Sequence, residues 1–326
     1  MTRLKTRLTE RFGLDHPILS APMALAGGGT LAAAVTRAGG LGLIGGGYGD
    51  ADWLEAQFTA AGNTAVGCGF ITWSLAQKPA LLTQVLRHKP KVLMLSFGDP
   101  APFAGEIAEA GVPLVCQCQS MADIRTAVAA GAAIIVAQGA EAGGHGQARG
   151  TLTIVPETAD LLRRQSPNTL LLAAGGIADG RGLAAALVLG ADGVLVGTRF
   201  WASREALVHA NHHAAILASD GDGTTRTRVP DRLRRLAWPE RFTVRVRDNA
   251  LVRRWEGRDA ELDVAVEAEA PRYAQAFAAG DIEEGGVFFG EAAGLIDDLP
   301  AAAEIVERMV AQAVDSLDGA TGLMRR

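Results

Sequence analysis

Val136-Ala-Gln-Gly-Ala-Glu141-Ala-Gly-Gly-His145-Gly-Gln-Ala-Arg149-Gly-Thr-Leu-Thr153 decides the architecture of this 326-residue chain. It continues a short apolar run, Ala132-Ala-Ile-Ile-Val-Ala137, which reads as a buried strand because it is too short for a helix. The strand ends at Gln138. Five glycines (139, 143, 144, 146 and 150) then fall within twelve residues around His145, one of six histidines. Glycines this dense let a backbone take positive φ and approach a flat ligand closely. A Gly-Gly-His loop at the carboxyl end of a buried strand stands where parallel α/β folds keep their chemistry.

The same pattern repeats on both sides of this stretch. Strands are expected at 17–23, 41–44, 65–72, 92–96 and 112–117 before it, and at 169–174 and 192–196 after it. Helical segments follow them at 30–38, 50–61, 78–88, 102–110, 120–130, 156–165 and 180–189, with another from about 203. Eight strand–helix units within about 190 residues fit a closed (β/α)8 TIM barrel, an α/β fold, better than a doubly wound open sheet. Residues 1–219 are therefore assigned to the barrel. Residues 220–295 break the alternation: Pro230, Pro239 and Pro271 interrupt charged, helix-like segments and no buried strand is evident. A small, mostly helical second domain capping the barrel rim is expected there. Residues 296–326 carry a last helix, with Ile305, Met309, Val310, Ala313 and Val314 at helical spacing, that returns to the barrel.

Composition narrows the function. A hydrophobic content of 48% supports a large core. A net charge of −5 and a pI near 5.7 argue against nucleic-acid or anionic-membrane partners. Cys68, Cys116 and Cys118 lie in apolar runs, the pattern of buried thiols rather than of a disulfide frame or a metal site. The charged N-terminus has no signal-peptide core, and no apolar run reaches transmembrane length, so a cytoplasmic protein is expected. The arginines clustered at 226–235 and 241–254 read as a solvated or interdomain face.

If the barrel closes, several strand ends meet. Barrels of this kind often hold a phosphate at the loops after the seventh and eighth strands. Gly175, Gly176 and Gly197 offer bare N–H groups there, Thr198 a hydroxyl and Arg199 a charge. Gln138 has both a donor and an acceptor for the edge of a heterocycle. Glu141 reads as a loop anchor rather than a base. His16 precedes the first strand, at the opposite end, and His88 sits on a surface-like helix. His209, His212 and His213 share a helix without metal-site spacing. That leaves His145 as the histidine at the mouth.

Assembled, these residues resemble the nitronate monooxygenase family, formerly 2-nitropropane dioxygenases: FMN-dependent (β/α)8 barrels with a small helical second domain. The resemblance rests on Pro17-Ile-Leu-Ser-Ala-Pro-Met23, Gly39-Gly-Leu-Gly-Leu-Ile-Gly-Gly46, Ala137-Gln-Gly-Ala-Glu-Ala-Gly-Gly-His145, Ala173-Ala-Gly-Gly-Ile-Ala-Asp179, Gly197-Thr-Arg-Phe200 and Gly290-Glu-Ala-Ala-Gly294, and covers nearly the whole length. It implies that Gln138 and Gly143 contact FMN and that Ala21, Pro22 and Met23 line the isoalloxazine. Gly175, Gly176, Gly197, Thr198, Arg199 and Phe200 would hold the phosphate, and His145 would be the catalytic histidine. Many members place an Asn against the flavin where Gly69 stands here. Some bring a Tyr and a Lys from the C-terminal region to the substrate, whereas this chain has no Lys after Lys91.

The implied activity is oxidation of alkyl nitronates or nitroalkanes by O2 to a carbonyl compound and nitrite, with His145 as base. The alternatives are an NAD(P)H-dependent reductase of enoyl-acyl-carrier-protein or quinone type, whose families share these signatures, and a flavin-binding protein without turnover. The expected partners are the small substrate and O2, and homo-oligomer formation stays open.

Overall fold

Eight parallel strands close into a barrel in the computed structural model, which describes residues 3–323; Met1 and Thr2, the start of the charged N-terminus read above, lie outside the described residues, as do the last three. The barrel strands are β1 (Ile18–Ser20), β2 (Leu43–Gly47), β3 (Gly67–Ile71), β4 (Leu93–Ser96), β5 (Leu114–Cys118), β6 (Ile134–Gln138), β8 (Leu170–Ala174) and β9 (Gly193–Val196). Their order around the sheet is β1-β9-β8-β6-β5-β4-β3-β2, and a parallel bridge between Leu19 and Leu41 joins the two ends. Closure removes both sheet edges.

The strands read as unbroken apolar runs because both faces are buried. Ile134, Val136, Leu170, Leu172 and Met94 point into the barrel, while Ile135, Ala137, Leu171 and Leu95 pack outward against the helices. The bottom of the barrel is plugged by the helix Arg7–Phe12, whose Leu8 and Phe12 join the inner cluster. Each such side chain contributes about 1.5–3 kcal/mol by leaving water. The plug is pinned by Arg7, which donates from Nε and Nη2 to both oxygens of Asp192 at 2.8 Å. The last helix, Ala302–Thr321, packs on Gly180–Val188, where Gly180 has no room for a side chain: a Cβ would lie 2.3 Å from Ala313 N.

Three local expectations are corrected. The helix after the long loop begins at Thr151, not 156, and carries Pro156 inside it. Past β9 the chain makes one short helix, Thr198–Trp201, and crosses the mouth irregularly before the helix Ala210–Leu217. Residues 220–295 hold several helices, of which Asp259–Ala278 is the longest, and also two strands, β10 (Thr224–Thr227) and β11 (Thr243–Arg247). Val244 and Val246 of β11 point one way and Arg245 and Arg247 the other, the period-two alternation of a strand, with Arg245 buried as well. Among the described residues no helix is long and apolar enough to cross a membrane.

Candidate active site at the barrel mouth

The loop after β6 is built into a second sheet. Gly144–Gly146 forms β7, the outer strand of the antiparallel order β10-β11-β7, with His145 opposite Val244. Arg226 and Arg245 both donate to the Ala140 carbonyl, at 3.1 and 3.0 Å. The Glu141 carboxylate accepts from the backbone N–H and the hydroxyl of Thr151, each at 2.9 Å. Glu141 therefore holds the loop to the start of its following helix.

The Gly290-Glu-Ala-Ala-Gly294 segment has a packing reason at this point. Gly290 lies against the loop backbone so closely that a Cβ would meet Glu141 O and Gly143 N at 2.5 Å. Gly290→Ala is expected to cost about 1–3 kcal/mol through overpacking. Thermal unfolding checks this against Gly105→Ala, an open helical position that should gain stability. Equal midpoints for Gly290→Ala and the wild type would contradict the close approach.

The imidazole is held on two sides. His145 Nε2 lies 2.9 Å from Asp231 Oδ2, and the two side chains are only 9% and 5% exposed. Trp238 stacks on the ring at 3.4 Å between centroids and 8° between planes, and Phe97 meets it edge-on at 6.1 Å. An ionised carboxylate only accepts, so the proton sits on Nε2 and Nδ1 keeps the basic lone pair. Burial pushes the His145 pKa below its ordinary value, and Asp231 pulls it partly back. Asp231 rides on the helix Val229–Leu233, whose first turn contains Pro230, so it reaches His145 from the 220–295 segment. Asp231 and Trp238 are the residues that sequence reasoning missed.

Around His145 lies a cavity of ≈ 470 Å³, within the usual range for a cofactor or drug-sized ligand. Ala21, Pro22 and Met23 line it from the end of β1, Gln138 and Gly143 from β6 and its loop, and Gly197 and Thr198 from β9. Gly175 and Gly176 line it after β8 with φ of +100° and +72°, a turn that side chains disfavour. Gln138 has both amide ends engaged: its Oε1 accepts from Gln117 and Gln119 at 2.9 and 2.7 Å, and its Nε2 donates to the His145 carbonyl at 3.2 Å. Gly69 is also on the wall, and no side chain fits there because a Cβ would lie 2.5 Å from the Pro22 ring. Ser96 and Gln117, at the ends of β4 and β5, are the polar groups on the β4 side of it.

Two residues expected to hold a phosphate turn their side chains elsewhere. Arg199 spends its guanidinium on Asp298 (Oδ1 at 3.1 Å, carbonyl at 2.6 Å) and on the Ala202 carbonyl, so its charge does not face the cavity. Phe200 is fully buried in the core between sheet and helices. His145 is also not alone at the mouth: His209 and His212 line the cavity, brought there by the chain crossing after Trp201. Burial holds the His212 pKa down at about 4, which keeps that ring neutral. The thiols of Cys68, Cys116 and Cys118 are buried and free, with pKa values raised by burial. Among the described residues no cluster of three or more His, Cys, Asp or Glu could hold a metal.

Closed barrel, glycine-walled cavity and shielded imidazole together define a TIM-barrel enzyme working at the carboxyl ends of its strands. The nitronate monooxygenase family model matches residues 5–67 and 70–312, and the chain belongs to that family of oxidoreductases. It is 32% identical to a nitronate monooxygenase of Neurospora crassa, covering 92% of this chain and 89% of that protein. It is 30% identical to the (3aS,4S,5R,7aS)-5-hydroxy-7a-methyl-1-oxo-octahydro-1H-indene-4-carboxyl-CoA dehydrogenase of Mycobacterium tuberculosis, over 99% of each. The solved structure of FabK from Thermotoga maritima superposes with a TM-score of 0.87 at 31% identity, over 98% of this chain and 100% of that one.

Proposed function

We propose that this protein binds FMN in the mouth cavity and oxidises alkyl nitronates, and nitroalkanes after loss of their α-proton, to a carbonyl compound and nitrite with O2. The fit of the flavin rests on the wall. Gly69, Gly175, Gly176 and Gly197 present backbone rather than side chains, and Ala21, Pro22 and Met23 add a small apolar edge. Gly175, Gly176, Gly197 and Thr198 would hold the phosphate, and Ser96 and Gln117 offer the edge contacts for which Gly69 has no side chain. FMN supplies the electron-accepting and oxygen chemistry when bound.

The observation that carries the reading is His145 on the cavity wall with Asp231 behind it, 2.9 Å from Nε2. For a nitroalkane, Nδ1 of His145 takes the α-proton and the bonding electrons pass into the C–N bond as the nitronate forms. Asp231 keeps the opposite proton on Nε2 and stabilises the imidazolium. Trp238, Phe97 and the apolar wall exclude water from the charge that develops.

A second reading, redox chemistry on an acyl thioester, is favoured by the M. tuberculosis relative whose name specifies a carboxyl-CoA dehydrogenase. Anaerobic mixing separates the two. Propane-2-nitronate is expected to bleach the flavin and, in air, to release nitrite, while NADH leaves the flavin oxidised. Rapid bleaching by NADH without any by the nitronate would overturn the first reading.

A further inference from the structure

Arg234 stands at the cavity wall as a cation without a counter-ion. Every other arginine between 226 and 258 bonds a carbonyl or a carboxylate: Arg226, Arg228 and Arg245 hold carbonyls, Arg232 and Arg235 the acids of the long helix, and Arg241 Asp123. Arg247 and Arg253 reach Glu283, Arg254 reaches Glu284 and Arg258 reaches Glu261. Among the described residues Arg234 forms no ion pair, and its polar neighbour is the Tyr48 hydroxyl. Its guanidinium carbon lies 4.9 Å from the Tyr48 ring centroid and 6.0 Å from that of Phe288. Tyr48 is fixed in turn by Trp238, whose Nε1 donates to its oxygen at 3.2 Å.

Among the described residues no Asp, Glu or Lys lines the cavity, and Arg234 is the one fixed charge there. A half-buried guanidinium between two rings has lost water without gaining a carboxylate, a cost that an incoming anion offsets. Its planar fork matches two oxygens on one atom. The position also suits the chemistry. Arg234 follows directly on the helix Val229–Leu233 that carries Asp231, so the cation and the carboxylate that holds His145 lie about one helical turn apart. The Arg234 charge is near enough to weigh, after burial and Asp231, in the titration of His145. The phosphate-holding loops follow β8 and β9, whereas Tyr48 follows β2, two strand positions from β9 and three from β8.

We propose that Arg234 binds the two nitro oxygens of the substrate and carries the negative charge that forms on them when His145 removes the α-proton. The inference rests on the nitronate reading. The C–H bond breaks, its proton goes to Nδ1 of His145, its electron pair becomes the C=N bond, and the charge settles on the oxygens facing the guanidinium. The same contact holds a nitronate that is supplied preformed.

Isobutyrate is the carboxylate isostere of propane-2-nitronate, and isobutyramide is its neutral control. Titrated into the FMN-loaded protein and followed by the flavin spectrum, isobutyrate is expected to bind and isobutyramide to bind far more weakly. Arg234→Met should weaken isobutyrate, and lower kcat/KM for both 2-nitropropane and its nitronate, by about 10- to 100-fold. Arg234→Lys should recover part of each loss, and FMN affinity should stay unchanged in both. Undiminished isobutyrate binding by a folded Arg234→Met protein overturns the proposal, and so does loss of FMN, which would give the guanidinium to the cofactor. Arg234-dependent isobutyrate binding with no oxidation of either nitro compound would uphold the anion site and reject the nitronate reading instead.

Discussion

His145→Asn is expected to keep FMN and fold while losing about 10²- to 10⁴-fold in kcat/KM on neutral nitroalkanes, the range for removing a general base. Nitronates supplied preformed need no proton removal, so their oxidation should fall far less. The Asn amide is small enough for the ring's slot and can still donate toward Asp231, which limits the structural cost. Burial holds the His145 pKa below its ordinary value of 6.5, with Asp231 opposing. The ring is therefore the neutral base throughout the neutral range, and activity on nitroalkanes is lost only as pH falls through that lowered pKa. Stability follows the same sign: below the unfolded pKa the unfolded chain takes up the proton first, so acid weakens the fold at this site. Equal losses on nitroalkane and nitronate would remove His145 from the base role.

The second large effect is expected at Asp231. Asp231→Asn keeps an acceptor for Nε2 but removes the charge that favours the imidazolium, and kcat/KM on nitroalkanes should drop by roughly 10²-fold. The diagnostic readout is the pH profile. Asp231 raises the His145 pKa through its hydrogen bond and its charge, so its removal lets burial act unopposed and the acid limb moves to lower pH. An unmoved limb would show that this carboxylate does not govern the base. Asp231→Ala strips the bond altogether, and the double variant with His145→Asn should lose little more than His145→Asn alone.

The barrel was legible because its strands are buried apolar runs, several of them stopped by glycine, as in Leu43–Gly47 and Leu170–Ala174 with its Gly175-Gly176 turn. Proximity to the mouth could be read for His145, Gly175, Gly176 and Gly197 from topology alone. Direction could not. Arg199 sits in the right loop, yet its side chain finds Asp298, 99 residues on, and leaves the cavity. Asp231 escaped notice because its partner lies 86 residues away in a loop with no periodicity to match. A signal did exist in Thr243-Val-Arg-Val-Arg247, whose alternation marks a half-buried strand, but the arginines around it read as a solvated face. The same charge run hid Arg234, which differs from its neighbours only in lacking a partner.

β7 belongs by sequence to the barrel and by hydrogen bonding to the sheet that rises from the rim. A hinge motion that lifted that sheet would pull on the very strand bearing the imidazole and would draw Asp231 and Trp238 with it. Opening and disarming would then be one event. Traffic of substrate and product that leaves the base assembled would have to use another side of the cavity, whose wall includes Leu25 and Leu207, more than half exposed at 55% and 53%.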